Sequence, residues 1–112
     1  MMNIPNPKID SDLILYGNRA CLGEIRPNMR QISIQYIEAI NTIQLRIYYD
    51  KPLTQEEIDY DVSGTILTEI ISDFPQELEY RDEVVMLPYP NRILDNGICI
   101  YRRYEPSPDL NE

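Results

Sequence analysis

The stretch from Gln31 to Tyr49, QISIQYIEAINTIQLRIYY, decides the fold. Ile32, Ile34 and Tyr36 alternate with Gln31, Ser33 and Gln35. After a short interruption, Ile43, Leu45, Ile47 and Tyr49 alternate with Thr42, Gln44, Arg46 and Tyr48. A period of two marks a strand with one buried face, because successive side chains leave a pleated backbone on opposite sides. Glu38-Ala39-Ile40-Asn41 makes the turn between the runs, without the Asn-Gly pair of the tightest hairpins. The two runs read as an antiparallel hairpin with one wet face.

Downstream, Thr54-Gln55-Glu56-Glu57 has the form of a capping box, in which threonine and glutamate satisfy each other's exposed backbone N–H groups. Behind it Ile58, Val62, Ile66, Ile70 and Phe74 recur every four residues, with Leu67 and Ile71 widening the stripe. This spacing predicts a helix over 55–73, stopped by Pro75. Upstream, Asp10-Ser11 caps a helix over 11–23 that carries Leu13, Tyr16, Ala20 and Leu22 and ends at Gly23. The last third predicts a strand from Glu79 to Leu87, then a long loop through Asp95-Asn96-Gly97. A fourth strand follows from Ile98, with Ile98, Ile100, Arg102 and Tyr104 on one face. The order α-β-β-α-β-β predicts an α+β fold, with two helices packed on one face of a four-stranded, mostly antiparallel sheet. Residues 1–112 are read as a single domain. Its first eight residues form an extended arm, and its acidic tail, 106–112, frays from Glu105 onward.

What is missing narrows the chemistry. The chain of 112 residues contains no histidine, so no Ser-His-Asp, Cys-His or His-ligated zinc arrangement can be built. Its two cysteines, Cys21 and Cys99, are too few for a structural zinc. Each is flanked by apolar residues, which predicts reduced, buried packing groups. The four glycines are scattered, so no phosphate-cradling loop exists. Acidic pairs such as Asp59 and Asp61, or Asp82 and Glu83, lack the basic groove that a magnesium-bound phosphate substrate needs. No enzyme activity, catalytic residue, metal or cofactor is expected. The polar, proline-broken N-terminus and the lack of an apolar run of roughly 20 residues predict a cytoplasmic protein.

Charge is the sequence's most uneven property. Nineteen acids against ten bases give −9 at neutral pH, which argues against nucleic acid or anionic membrane as a partner. Residues 50–83 hold 11 acids and two bases, and so carry the whole net charge, while the remainder is neutral. A solvated helix with first-turn acids set against its dipole accounts for Glu56, Glu57 and Asp59. It does not account for Asp73, Glu77 and Glu79 at the far end, nor for the absence of interspersed lysines. The other reading is a surface kept negative for a basic protein partner. Its candidate residues are Glu57, Asp61 and Glu69 on the solvent arc of the helix, beside the small side chains of Gly64, Thr65, Thr68 and Ser72, together with Asp73 at the helix end. Tyr48 and Tyr101 on wet faces are candidate anchors. Arg102 and Arg103, adjacent on a strand, should point to opposite faces and form no patch.

Four segments carry a resemblance: Gly23-Glu24-Ile25-Arg26-Pro27-Asn28-Met29-Arg30, Ile47-Tyr48-Tyr49-Asp50, Ile71-Ser72-Asp73-Phe74-Pro75 and Tyr101-Arg102-Arg103-Tyr104-Glu105. Over residues 11–105 the chain resembles a small bacterial family of single-domain proteins akin to the immunity proteins of contact-dependent growth inhibition and polymorphic toxin systems. The resemblance implies a stoichiometric inhibitor that covers the active site of a cognate toxin, commonly a basic nuclease, and it brings no catalytic residue. The alternative is a non-catalytic structural or adaptor subunit that joins an assembly or self-associates through a sheet edge.

Overall fold

The hairpin lies at the centre of the sheet. In the computed structural model, which describes residues 7–74 and 77–106, β1 (Met29–Ile37) and β2 (Thr42–Tyr49) pair antiparallel. Ile32, Ile34 and Tyr36 stand opposite Ile47, Leu45 and Ile43. Between the strands, Glu38–Ile40 forms one 3-10 turn, and Asn41 takes the left-handed conformation (φ 49°) that asparagine tolerates better than most residues.

Two edge strands complete the sheet in the order β3-β2-β1-β4. β3 (Glu79–Met86) runs parallel to β2, and β4 (Ile98–Arg102) runs antiparallel to β1. The parallel pair follows from connectivity, because the chain leaves the far end of β2, returns through helix along the sheet, and starts β3 at the end where β2 begins. The result is the predicted α+β fold, mostly antiparallel with one parallel pair.

Helix α1 (Pro7–Ala20) begins four residues before the predicted start, with proline at its first position, where the missing N–H costs nothing. Pro7 and Lys8 therefore belong to helix and not to the predicted arm; residues 1–6 lie outside the described residues. The predicted long helix is two pieces, α2 (Gln55–Tyr60) and α3 (Val62–Asp73), broken at Asp61. Asp61 is left-handed (φ 58°), and its carboxylate accepts the Gly64 N–H at 3.2 Å to cap α3. The break re-aims α2, so Ile58 is 56% exposed instead of joining the stripe, while Val62, Ile66, Ile70 and Phe74 stay buried. Ile71, at the stripe's margin, is also exposed. Pro75 lies outside the described residues.

Helix α1 covers β1 and β4, and α3 covers β2 and β3. The helices meet where the Tyr16 ring sets its edge against Phe74, centroids 5.0 Å apart. Gly17 lets α1 approach the sheet, since a Cβ there would lie 2.9 Å from Ile100 Cδ1. Leu13, Met29, Ile32, Ile43, Leu45, Ile47, Tyr49, Ile66 and Ile70 are all fully shielded between the layers. Each such aliphatic side chain is worth about 1.5–3 kcal/mol of burial.

The sheet's second face is not wet. β3 and β4 occupy opposite edges, so the segment between them, residues 87–97, has to traverse the sheet, and it does so on the helix-free side. Asp95 in this segment bonds Arg46 and Tyr48, and a Cβ on Gly97 would sit 3.1 Å from the Ile34 carbonyl. On this face Gln31, Ser33, Thr42, Gln44 and Tyr48 are buried, Arg102 bonding Gln31 and Arg81 bonding Gln44 beside the crossing segment. A two-residue period identifies a half-buried strand but is blind to a polar face closed by a distant loop.

Candidate functional site

The four candidate carboxylates occupy different environments. Glu57 is buried, not on the solvent arc. Its carboxylate accepts the Thr54 N–H at 2.8 Å and an Asn28 amide N–H at 3.1 Å, and its own N–H donates to the Thr54 hydroxyl. The capping box is thus present, and it draws the glutamate inward. Burial pulls the carboxyl upward, but the Thr54 and Asn28 hydrogen bonds outweigh it and hold it below its usual value. Asp73 is half-buried, 3.7 Å from Arg19 on α1.

Asp61 and Glu69 remain exposed and share a shallow groove of about 330 Å³ with Tyr60, Gly64, Thr65 and Thr68. The small side chains singled out in the sequence do flatten this helix face. Beside it, the Ser63 hydroxyl lies between two carboxylates, donating to Asp82 at 2.5 Å with Asp61 at 3.5 Å. Asp82 belongs to β3, so Ser63 brings an acid at the head of α3 beside one of the edge strand.

Neither candidate tyrosine stands on a wet face. Tyr48 is 5% exposed and donates its hydroxyl to Asp95 at 2.6 Å. Burial first, and then the Asp95 carboxylate, push this phenol up to about 12. Tyr101 is half-buried on the core side of β4, opposite Ile32. A bulge in the β1–β4 ladder at Ile32/Ser33 shifts the register there, so Arg102 leaves the face of Ile98 and Ile100 and pairs with Gln31.

The acidic segment sorts into two groups. Asp50, Glu57, Asp73 and Glu83 are engaged, by Arg103, the capping box, Arg19 and Arg46 respectively. Glu56, Asp59, Asp61, Glu69, Glu77, Glu79 and Asp82 are exposed, and no ion pair takes them among the described residues. These seven belong to α2, α3, β3 and the stretch leading into β3. Sequence reasoning placed the surface on the helix alone and missed the contribution of β3, although the charge count over residues 50–83 contained it.

Basic residues gather at the other side of the sheet. Arg30, Arg92, Arg102 and Arg103 line a cleft of about 260 Å³ with Gln31, Tyr89 and Glu105. Arg102 and Arg103 do converge, contrary to the strand alternation, because β4 ends at Arg102. Glu105 is not frayed: it takes two bonds from the buried Arg30, at 2.7 and 2.9 Å, and one from Arg103 at 2.8 Å. Arg30 above all, and then Arg103, hold its carboxyl below the usual range. The segment 107–112 lies outside the described residues.

Cys21 is buried, its thiol pushed up to about 11 by burial and by Glu24, whereas Cys99 is exposed on the edge strand β4. The two are not joined. Among the described residues no three acids or thiols converge on a metal position, and no helix is long and apolar enough to cross a membrane.

A comparison with curated proteins finds no match. The MafI2 immunity protein family, in contrast, matches residues 10–105, from within α1 to just past β4. The chain belongs to the MafI2 immunity protein family, and is therefore an immunity protein, the partner of a cognate toxin.

Proposed function

We propose that this protein neutralises a basic, nuclease-type toxin domain by binding it one to one in the cytoplasm, and that the acidic side formed by α2, α3 and β3 makes the contact. The observation that supports this reading is the set of seven exposed acids, in α2, α3, β3 and the stretch leading into β3, that no ion pair takes among the described residues. Such a field raises the encounter rate with a basic surface and disfavours acidic ones. A nuclease surface that grips phosphates carries the matching charge. Inhibition then needs neither metal nor cofactor, only occupation of the surface that nucleic acid would use. Of the six residues first singled out, Asp61 and Glu69 stay in this proposal. Asp59, Glu79 and Asp82 join them, and the engaged Glu57, Asp73 and Tyr48 act as supports of the fold.

Expression of the toxin domain encoded beside this gene, alone and together with this protein, tests the reading. Restored growth and a one-to-one complex on size-exclusion chromatography are expected. Continued killing, with the two proteins eluting apart, would contradict it.

A further inference from the structure

The outer edge of β3 offers a second kind of recognition, by backbone instead of by charge. β3 is the last strand of the sheet, eight residues long, and its ladder with β2 runs from Glu79 to Met86 with no shift of register. The Glu79 N–H donates to the Asn41 carbonyl and the Leu87 N–H to the Tyr49 carbonyl, each at 2.9 Å. In a parallel ladder a residue's N–H and C=O leave the strand on the same side, and the side alternates. Residues 79, 81, 83, 85 and 87 therefore face β2. Tyr80, Asp82, Val84 and Met86 aim their backbone groups away from β2, to the side where no further strand pairs with β3 among the described residues. Val84 and Met86 are each 42% exposed, which is unusual for apolar side chains on the helix-covered side of a sheet.

We infer that this edge is the docking strand, and that an extended, lysine- or arginine-bearing segment of the toxin adds to it as a fifth strand along residues 80–86. The inference rests on the immunity reading above and specifies its geometry. An open edge with no proline and no bulge is a template for strand addition, a liability that proteins ordinarily blunt. Charge selects the occupant. Pairing with a second copy, centred on the strand, would bring Asp82 and Glu83 of both molecules together, with Asp61 close behind Asp82. A basic segment meets the same carboxylates favourably. The expected pattern in that segment is a Lys or Arg beside Asp82 and apolar side chains beside Val84 and Met86.

Amide hydrogen exchange, resolved by residue, tests this on the full chain with and without the adjacent-gene toxin domain. In the free protein the amides of Asp82, Val84 and Met86 should exchange fast and those of 81, 83 and 85 slowly. In the complex the three fast amides should slow by at least about tenfold, as newly hydrogen-bonded strand positions do. Val84→Pro gives a second readout, since it removes only an outward N–H and an edge strand tolerates it. If the variant melts cooperatively, its affinity should fall by about tenfold or more. If it does not fold, the exchange data alone decide. A complex that forms while the three amides still exchange fast overturns the edge. No complex with the wild-type chain would instead overturn the immunity reading on which the edge depends.

Discussion

The Tyr48 hydroxyl donates to Asp95 at 2.6 Å, and this bond ties the middle of β2 to the segment that crosses the helix-free face. The same carboxylate accepts from Arg46 at 2.9 Å and from the Gly97 N–H at 2.7 Å, and its side chain is 1% exposed. A buried carboxylate is tolerable only when so surrounded.

Removing parts of this cluster should therefore cost unequal amounts. Tyr48→Phe deletes one hydrogen bond to a charged group and should lower stability by about 2 kcal/mol. Asp95→Ala takes the acceptor from the buried Tyr48 hydroxyl, from the Gly97 N–H and from one Arg46 N–H, leaving Arg46 to Glu83 alone, and should cost about 3–4 kcal/mol. Urea denaturation midpoints check both, and equal losses would show that the crossing segment is held by something other than Asp95.

The carboxylates also set the acid limit of stability. Asp50, lowered chiefly by the Tyr89 N–H, and Glu105, lowered chiefly by Arg30, lie below their ordinary values of 3.8 and 4.5. For Asp95, burial pulls upward but the bonds from Tyr48, Arg46 and Gly97 prevail. A depressed folded value contributes stability above the unfolded pKa and loses it as pH falls toward the folded one. On this limb the melting temperature should hold down to about pH 5 and drop below about pH 4. At the alkaline end Tyr48 and Tyr49, pushed up from 10 to about 12 chiefly by burial, favour the folded state below pH 10 and lose that contribution toward 12. Melting curves across pH check both limbs, and Asp95→Asn should flatten the acidic one.

The hairpin, the capping box and the helical stripe were legible because each is written in local periodicity. Register, the Asp61 break and the covered second face were not. Asp61 combines a left-handed backbone with a cap, and aspartate within a helical pattern advertises neither. The burial of Tyr48 depends on Asp95, 47 residues away. For the site, the charge count found the right segment, but it could not tell Glu57, which serves the backbone, from Glu69, which serves none.

Asp61 can be separated into its two roles. Asp61→Asn keeps an oxygen acceptor for the Gly64 N–H and tolerates a positive φ, so stability should change by less than about 0.5 kcal/mol. Asp61→Ala loses the cap and strains the backbone, at a cost of about 2 kcal/mol. Chemical denaturation distinguishes them. If both variants are equally stable, the carboxylate does not hold the α2–α3 break.

The central claim is that the exposed acids of α2, α3 and β3 guide a basic toxin to this protein. Stopped-flow association with the adjacent-gene toxin domain, measured from low to high salt, tests it most directly for the wild type and for Asp59→Lys/Glu69→Lys/Glu79→Lys. The account predicts that the wild-type rate falls steeply with salt, and that the triple variant associates about tenfold or more slowly at low salt with a flattened dependence. Equal low-salt rates for the two proteins would contradict it.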